Sequence, residues 1–270
     1  MTCSLTQPMW LSIINCWGFA PNCLRRDSVP QGTSPGGIIG TLKHGPHRWH
    51  GILKRSHLKI QISGHLTFMA IINLKKREVE CKIVYYGPGR CGKTTNLEYV
   101  FRNSRRLMTD EMVSIKTKGD LTIFFDFAPM DAGQIKGCNV RFQLYTVPGQ
   151  VKYNSTRKLV LKGADGVVFV ADSLSIRHEK NIIALKNLAE NLKGYGLSIL
   201  KIPLVMQYNK RDLAKEGVPL MAVDEMEKIY NRQLKAPSFA ASAVTGQNVN
   251  DTLKACFVLT LKSLKKQAGW

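Results

Sequence analysis

Residues 87–94 have the types and the spacing of a loop that binds phosphate groups. The octapeptide Gly87-Pro-Gly-Arg-Cys-Gly-Lys-Thr fits the pattern GxxxxGK[ST], and it lies between the apolar run Cys81 to Tyr86 and a segment of helical character. In that setting the backbone N–H groups of the loop and the N-terminal end of the helix surround a phosphate chain. A glycine-rich turn without a ligand is the alternative, but it leaves the pair Lys93 and Thr94 without a purpose. The pattern therefore predicts a site for a nucleoside phosphate.

The side chains of this loop have separate expected roles. Lys93 would bridge the β- and γ-phosphates, and the Thr94 hydroxyl would ligate a magnesium ion that joins them. A side chain at position 89 would crowd the γ-phosphate, which accounts for Gly89. The Cys91 amide and Thr95 would contact the α- and β-phosphates, while the Cys91 thiol itself is expected to pack. The predicted phosphate-binding residues are Gly87, Gly89, Arg90, Cys91, Gly92, Lys93, Thr94 and Thr95.

Two further motifs indicate which base the nucleotide carries. Asn209-Lys210-Arg211-Asp212 follows the apolar run Pro203 to Tyr208, at the carboxyl edge of the expected sheet, where open α/β folds bind ligands. The carboxylate of Asp212 can accept from both N1–H and the 2-amino group of guanine, a donor pair that adenine lacks. Ser242-Ala243-Val244 would supply a backbone N–H to the guanine O6. Each motif alone is common and usually only a solvated loop, but their order after the phosphate loop favours a guanine nucleotide.

The elements that position these motifs alternate along the chain. Short apolar runs alternate with segments of helical period, which predicts an α/β fold with a six-stranded, mainly parallel sheet and helices on both faces. The predicted strands are Cys81 to Tyr86, Leu121 to Phe127, Val140 to Tyr145, Gly166 to Ala171, Pro203 to Tyr208 and Ser238 to Ala241. Helical spacing joins Leu185, Leu188, Ala189 and Leu192, and again Leu253, Phe257, Leu261 and Leu264.

The first 68 residues differ from the rest. They contain five of the six histidines, three of the four tryptophans and a single acid, Asp27, and the stretch Gln31 to Gly40 is rich in Gly, Pro, Ser and Thr. We expect residues 1–68 to be disordered and residues 69–270 to form one domain. Met69 opens a segment typical of the start of a domain, so the upstream stretch is interpreted as non-native sequence before the true start or as a regulatory extension.

Composition excludes several other classes. The formal charge of +20 comes from lysines and arginines scattered between apolar positions, which indicates a solvated basic surface rather than a nucleic-acid interface, with a general attraction to acidic partners left open. The seven cysteines show no CxxC spacing and no adjacent histidines, so a metal cluster is not expected. We expect the cysteines to be reduced and buried. No apolar stretch reaches 18 residues, so no integral membrane segment is predicted.

Several segments together resemble one family. Tyr145-Thr146-Val147-Pro148-Gly149-Gln150, with Thr122-Ile-Phe-Phe-Asp-Phe and Gly87-Pro-Gly, resembles the MglA-type bacterial Ras-like GTPases of gliding motility and cell polarity. The likeness runs from about Met69 to Lys266. It implies the Ras-like P-loop fold and a GTP-hydrolysing cytoplasmic switch that is recruited to a cell pole or the inner membrane surface. It also implies a roadblock-type partner that accelerates hydrolysis, and downstream polarity or motility effectors.

The resemblance assigns roles to residues outside the phosphate loop. It implies that Thr122 closes over magnesium and the γ-phosphate, that Gly149 senses this phosphate and that Gln150 orients the attacking water. The catalytic set is then Gln150, Lys93 and Thr122, and the metal set is Thr94, Thr122 and Asp126. Asp126 is either an outer-shell magnesium partner or an ordinary acid at a strand end. Thr146, where most Ras-like proteins have aspartate, is expected in this family.

One position departs from the family. MglA-type proteins have an arginine directly before the switch threonine, and this chain has Leu121 there. Because such an arginine finger is worth roughly 10³ to 10⁵ in rate, the sequence predicts slow hydrolysis even with a partner bound. Arg90, Lys116 and Lys118 are candidates to replace it, although Arg90 can equally face solvent. The rival hypothesis is a binding module that hardly hydrolyses GTP; a water-orienting Gln150 favours the enzyme.

Overall fold

The computed structural model describes residues 71–73, 77–103, 113–117, 121–126, 130–135, 137–150 and 153–267, with the backbone alone for residues 71–73, 113–117, 121–126, 130–133 and 135. The predicted extension, residues 1–68, lies outside this part of the chain. In chain order the elements are β1 (Ile71–Asn73), β2 (Glu78–Tyr86), α1 (Lys93–Asn103), β3 (Val113–Thr117), β4 (Leu121–Asp126), β5 (Met130–Ile135), β6 (Cys138–Thr146), α2 (Asn154–Leu161), β7 (Gly166–Asp172), α3 (His178–Lys193), β8 (Leu204–Asn209), α4 (Val223–Met226), β9 (Ser238–Ala240) and α5 (Val249–Gln267).

The main sheet has seven strands in the described residues. Five are parallel, in the order β6-β2-β7-β8-β9, while β5 pairs antiparallel with β6 at one edge and β1 pairs antiparallel with β2. Every residue of β7 and β8 is buried, as expected for central parallel strands covered on both faces. The predicted α/β class is confirmed. All carboxyl ends of the parallel strands meet at one edge, which is where the predicted motifs begin.

One predicted strand has a different place. Residues Leu121–Asp126 of the predicted strand form β4, and Phe127 lies outside the described residues, but β4 pairs with β3 in a separate two-stranded antiparallel sheet. The edge of the main sheet is instead β5, whose sequence Met-Asp-Ala-Gly-Gln-Ile has neither an apolar run nor a regular alternation. Its pairing with β6 is irregular between Asp131 and Gln134. Because this strand depends on its neighbour rather than on its own pattern, the sequence did not predict it.

Helices cover both faces of the main sheet. On one face, apolar residues of α2 and α3, such as Val160 and Leu188, belong to one buried cluster with Val84 and Phe169 of the strands. On the other face the Phe257 ring of α5 stacks on Phe142 of β6, with 3.9 Å between the ring centroids. No helix in the described ranges is long and apolar enough to cross a bilayer.

Gly166 allows the close contact between α5 and the sheet. A Cβ atom there would lie 2.4 Å from the Thr260 hydroxyl and 3.2 Å from the Cys256 sulfur, both on α5. The predicted apolar period of this helix is largely confirmed, since Leu253, Phe257 and Leu264 are buried.

Candidate nucleotide-binding site

The phosphate loop leaves β2 at its carboxyl end and leads into α1, as its motif requires. Two glycines are needed for this path. Gly87 has φ +149°, and a Cβ there would lie 2.2 Å from the Val170 carbonyl oxygen of the neighbouring strand. Gly92 has φ +96°, and its Cβ would lie 2.2 Å from the Asn209 side-chain nitrogen. The loop is therefore folded tightly onto β7 and onto the start of the base motif.

Lys93 lies beneath this loop. It is 6% exposed, and its Nζ donates to the carbonyl oxygens of Pro88 (2.7 Å) and Gly87 (3.3 Å). Burial lowers the pKa of Lys93, and the charges of Arg157 and Arg177 lower it further. A polyanion held in the loop would oppose these effects and favour the ammonium form. Lys93 thus begins α1 as a buried cation at the place predicted for the phosphates.

The other loop side chains differ in exposure. Thr94 and Thr95 are half-buried in the first turn of α1, whereas Arg90 is exposed in the left-handed region, with φ +63°. Arg90 therefore takes the solvent-facing alternative in this structure. Cys91 is buried, and burial raises the pKa of its thiol. This thiol packs in its neutral form, as expected, and only its backbone is available to a ligand.

The segment at 149–150 lies directly against the phosphate loop. A Cβ at Gly149 would be 2.2 Å from the Gly89 Cα atom, and a Cβ at Gly89 would be 3.8 Å from the Gln150 Cγ atom. Only a glycine at 149 permits this backbone contact. Gln150 is exposed. Its side-chain amide therefore does not pack in the core, and it lies beside the end of the loop where the γ-phosphate is expected.

Asn209 ties the base motif to the phosphate loop and to the third motif. Its Nδ2 donates to the Cys91 carbonyl oxygen (2.7 Å), and its Oδ1 accepts from the Ala243 amide (2.8 Å). Lys210 follows in the left-handed region, with φ +73°. One buried asparagine thus brings three separate predicted motifs to the same edge of the sheet.

Asp212 has the environment expected of a base-binding carboxylate. Its Oδ1 is buried and has no hydrogen-bond partner among the described residues. A shielded, unpaired acceptor is costly unless a donor reaches it, and the N–H groups of guanine are such donors. In the third motif Ser242 and Ala243 are buried, whereas the Val244 side chain is 71% exposed. Any contribution of Val244 would therefore come from its backbone.

Two residues of the site were not predicted. Asp172, at the end of β7, is fully buried and accepts from Lys210 Nζ (2.8 Å) and from the Leu174 amide (3.2 Å). Arg177 lies 3.5 Å from the same carboxylate through its Nε, and it also donates to the Gly89 carbonyl oxygen. These contacts connect the base motif with the phosphate loop. Only the position of Asp172 at the end of an apolar strand could have suggested it.

Of the three predicted metal ligands, only the Thr94 side chain lies within the described residues. Thr94 lies in the first turn of α1, but the side chains of Thr122 and Asp126 lie outside the described residues, so their roles stay predictions. Thr146 is buried, and its hydroxyl has no hydrogen-bond partner among the described residues. In the same part of the chain no three acidic, histidine or cysteine side chains form a metal-binding group.

This donor set suits magnesium, which is commonly held by few protein ligands together with phosphates and water. A hydroxyl at the start of α1 and a second, unpaired hydroxyl at the end of β6 are consistent with that chemistry. They do not form a carboxylate cage of the kind that binds calcium.

Comparison with known proteins agrees with this geometry. Residues 82–262 match the model of the Ras family. The chain is 51% identical over 198 residues to the mutual gliding-motility protein MglA of Myxococcus xanthus (strain DK1622), a match that covers 73% of this chain and 99% of that protein. It is also 28% identical over 122 residues to a putative ras-related protein Rab-5B of Dictyostelium discoideum, covering 43% of this chain and 51% of that protein.

Proposed function

The chain belongs to the Ras family and is a small GTPase, and from this premise we propose that it is a nucleotide-dependent switch in gliding motility or cell polarity. The observation that carries the nucleotide specificity is the buried, unpaired Asp212 Oδ1 beside the Asn209 bridge. The cellular role is supported by 51% identity to a gliding-motility protein over nearly its whole length.

In the proposed complex Asp212 accepts from guanine N1–H and the 2-amino group. The backbone at Ser242, Ala243 and Val244 lies at O6, and Asn209 and Lys210 keep this base site fixed to the phosphate loop. Residues Gly87, Gly89, Arg90, Cys91, Gly92 and Thr95 line the phosphates through their backbone or side chains. Lys93 supplies the positive charge at the β- and γ-phosphates.

We infer that Mg²⁺ accompanies the nucleotide. Thr94 and Thr122 would hold it, with Asp126 or the unpaired Thr146 hydroxyl in contact with its water shell. When bound, the ion would supply positive charge to the phosphates. The protein's own contribution is to place Thr94 directly after Lys93 in the first turn of α1.

Hydrolysis is proposed to rely on Gln150, which would orient the attacking water while Gly149 follows the γ-phosphate. The direct packing of Gly149 on Gly89 supports this pair of roles and favours an enzyme over a module that only binds. With Leu121 in place of an arginine, the rate is proposed to be slow until a roadblock-type partner binds. That partner, the polarity effectors and recruitment from the cytoplasm to a cell pole rest on the family resemblance.

Single-turnover hydrolysis tests the enzymatic part of this proposal. The full chain loaded with GTP should release phosphate slowly, and Gln150→Ala should lower the rate at least about tenfold while GTP affinity is kept. Gln247→Ala, a change of another exposed glutamine, serves as the matched control. Equal rates for the unchanged chain and Gln150→Ala would favour the binding module instead.

Complementation tests the cellular part. Expression of the full chain in Myxococcus xanthus cells that lack their own MglA should restore gliding, and a Lys93→Ala variant expressed at the same level should not. Failure of a chain that binds GTP normally in the same cells would contradict the motility role and leave the GTPase activity intact.

A further inference from the structure

Arg157 on α2 is buried without a counter-ion. Its side chain is fully buried, and none of its three guanidinium nitrogens has a hydrogen-bond partner among the described residues. A buried cation without an anion is strongly unfavourable. An arginine kept in such a place implies an anionic group that it can bind there.

The guanidinium of Arg157 packs on an aromatic ring. Its central carbon lies 4.3 Å from the ring centroid of Tyr86, the last residue before the phosphate loop. Such a contact of a cation with an aromatic face is favourable, but it leaves the N–H groups, which lie in the guanidinium plane, without acceptors. Tyr86 thus holds the cation at the carboxyl end of β2, but burial raises the pKa of its hydroxyl, so the neutral ring supplies no counter-charge.

A buried hydrogen-bond network holds the Tyr86 ring in place. The Tyr86 hydroxyl donates to Asn187 Oδ1 (2.7 Å) and accepts from Asn191 Nδ2 (3.0 Å) on α3. Both asparagines also donate to Asn154 Oδ1, each at 2.9 Å. Asn154 is the first residue of α2 and lies one turn before Arg157. The network therefore sets the position of α2, and with it Arg157, relative to the phosphate loop.

Arg157 acts electrostatically on the loop lysine. Burial lowers the pKa of both side chains, and the charge of Arg157 lowers the pKa of Lys93 further. Two buried cations thus lie within interaction distance of each other, and no described carboxylate forms an ion pair with Arg157. A polyphosphate in the loop is the anion that would compensate both.

We propose that Arg157 binds the terminal phosphate of the nucleotide and makes the site prefer a triphosphate to a diphosphate. It would supply, from α2, the positive charge that Leu121 does not. Because α2 follows closely on Gly149 and Gln150, the same contact would couple the position of this helix to the presence of the γ-phosphate. The inference rests on the guanine-nucleotide site described above.

Fluorescence titration of the full chain with mant-GDP and mant-GTPγS tests the proposal. Arg157→Met should weaken mant-GTPγS binding by about tenfold or more, as expected for loss of a charge-assisted hydrogen bond, and mant-GDP binding by no more than about threefold. Arg157→Lys, which keeps a charge but not the planar fork, should lie between. Lys158→Met changes a neighbouring basic residue that is exposed on the same helix, and it should leave both affinities unchanged.

Urea unfolding of the nucleotide-free protein separates binding from a structural role. Since Arg157→Met removes an unpaired buried charge, its unfolding midpoint should equal or exceed that of the unchanged chain. A lower midpoint, or equal losses of mant-GDP and mant-GTPγS affinity, would overturn the proposal. If the unchanged chain bound neither nucleotide, the assignment of the nucleotide site and the role of Arg157 would both be wrong. If the unchanged chain and Arg157→Met bound both nucleotides with the same affinities, only the role of Arg157 would be wrong.

Discussion

Individual buried polar side chains hold the loops of the site together. Asn209 connects the phosphate loop with Ala243 through two hydrogen bonds. Asp172 pairs with Lys210 and lies 3.5 Å from Arg177. Hydrogen bonds to charged groups are stronger than neutral ones. The Asp172 carboxylate therefore contributes more to the electrostatics of the site than the neutral Asn209 amide does. It pairs with Lys210 and Arg177 and partly neutralises their charge, although the charge of Arg177 still lowers the pKa of Lys93.

Asp172→Asn tests this role. The amide keeps the size of the side chain and removes the charge, which leaves Lys210 and Arg177 without their anion at a buried position. We expect the free energy of unfolding to fall by about 3 kcal/mol and the affinity for GDP to fall with it. Chemical denaturation and nucleotide titration measure both, with Asp224→Asn, a change of an exposed acid on α4, as the control. Wild-type stability and affinity would contradict the role of Asp172.

Contiguous motifs were predictable at this scale, and contacts between distant residues were not. The phosphate loop and Asn209 to Asp212 are defined by spacing in a single segment. The types of Asp172, Arg177 and Arg157 alone do not distinguish them from surface charges. Burial identifies Asp172 and Arg157, and the contacts with Asp172 and Gly89 identify Arg177; both are known only once the fold is.

Among the elements, β2 and β7 are joined by a carboxyl group outside the nucleotide site. Asp165 precedes β7 and accepts a hydrogen bond from the Lys82 amide of β2 at 2.7 Å. Burial raises the pKa of Asp165 from 3.8 to about 7, against the opposing effects of that hydrogen bond and of the Lys82 charge. The folded chain therefore binds a proton here over a pH range in which the unfolded chain does not.

This pKa predicts the pH dependence of stability. Between about pH 4 and pH 7 the folded state binds more protons at Asp165 than the unfolded state, so the contribution of this residue to the free energy of unfolding falls as pH rises. Above about pH 7 the loss is complete. Asp165→Asn keeps an acceptor for the Lys82 amide, and urea unfolding from pH 4 to 8 should show a flatter profile for it than for the unchanged chain. Parallel profiles would contradict the prediction.

The ribbon of β3 and β4 carries the second prediction at this scale. If hydrolysis is slow because Leu121 occupies the place of an arginine, Leu121→Arg should accelerate single-turnover hydrolysis, in the direction of the 10³- to 10⁵-fold that an arginine finger provides. Leu121→Lys, which adds charge without the guanidinium fork, is the control and should give a smaller gain. No acceleration by arginine would indicate that another residue already stabilises the transition state.

Strong apolar patterns allowed most elements to be predicted. The fully buried strands β7 and β8 have continuous apolar runs, and α3 and α5 have clear helical periods. The edge strand β5 and the separate ribbon could not be inferred, since their pairing is decided by neighbours and not by their own composition. The predicted places of Thr122 and Asp126 depend on that ribbon, so their roles stay predictions.

For the whole molecule, the domain boundary is the prediction that remains. The Ras-family match begins at residue 82, and the match to the gliding-motility protein covers 73% of this chain. The assignment of residues 69–270 to one nucleotide-binding domain stays a prediction. A chain beginning at Met69 should bind GDP within about twofold of the full chain, by the usual independence of a domain from a terminal extension. A large loss of affinity would mean that residues 1–68 belong to the domain.

Competition between nucleotides tests the central claim most directly. GTP should displace mant-GDP from the full chain, and ATP at the same concentrations should not. The reason is that adenine lacks the two donors from which Asp212 accepts. Asp212→Ala should weaken GTP binding at least about tenfold, whereas Asp224→Ala should have no effect. Equal displacement by ATP and GTP from the unchanged chain would contradict the assignment of a guanine-nucleotide switch.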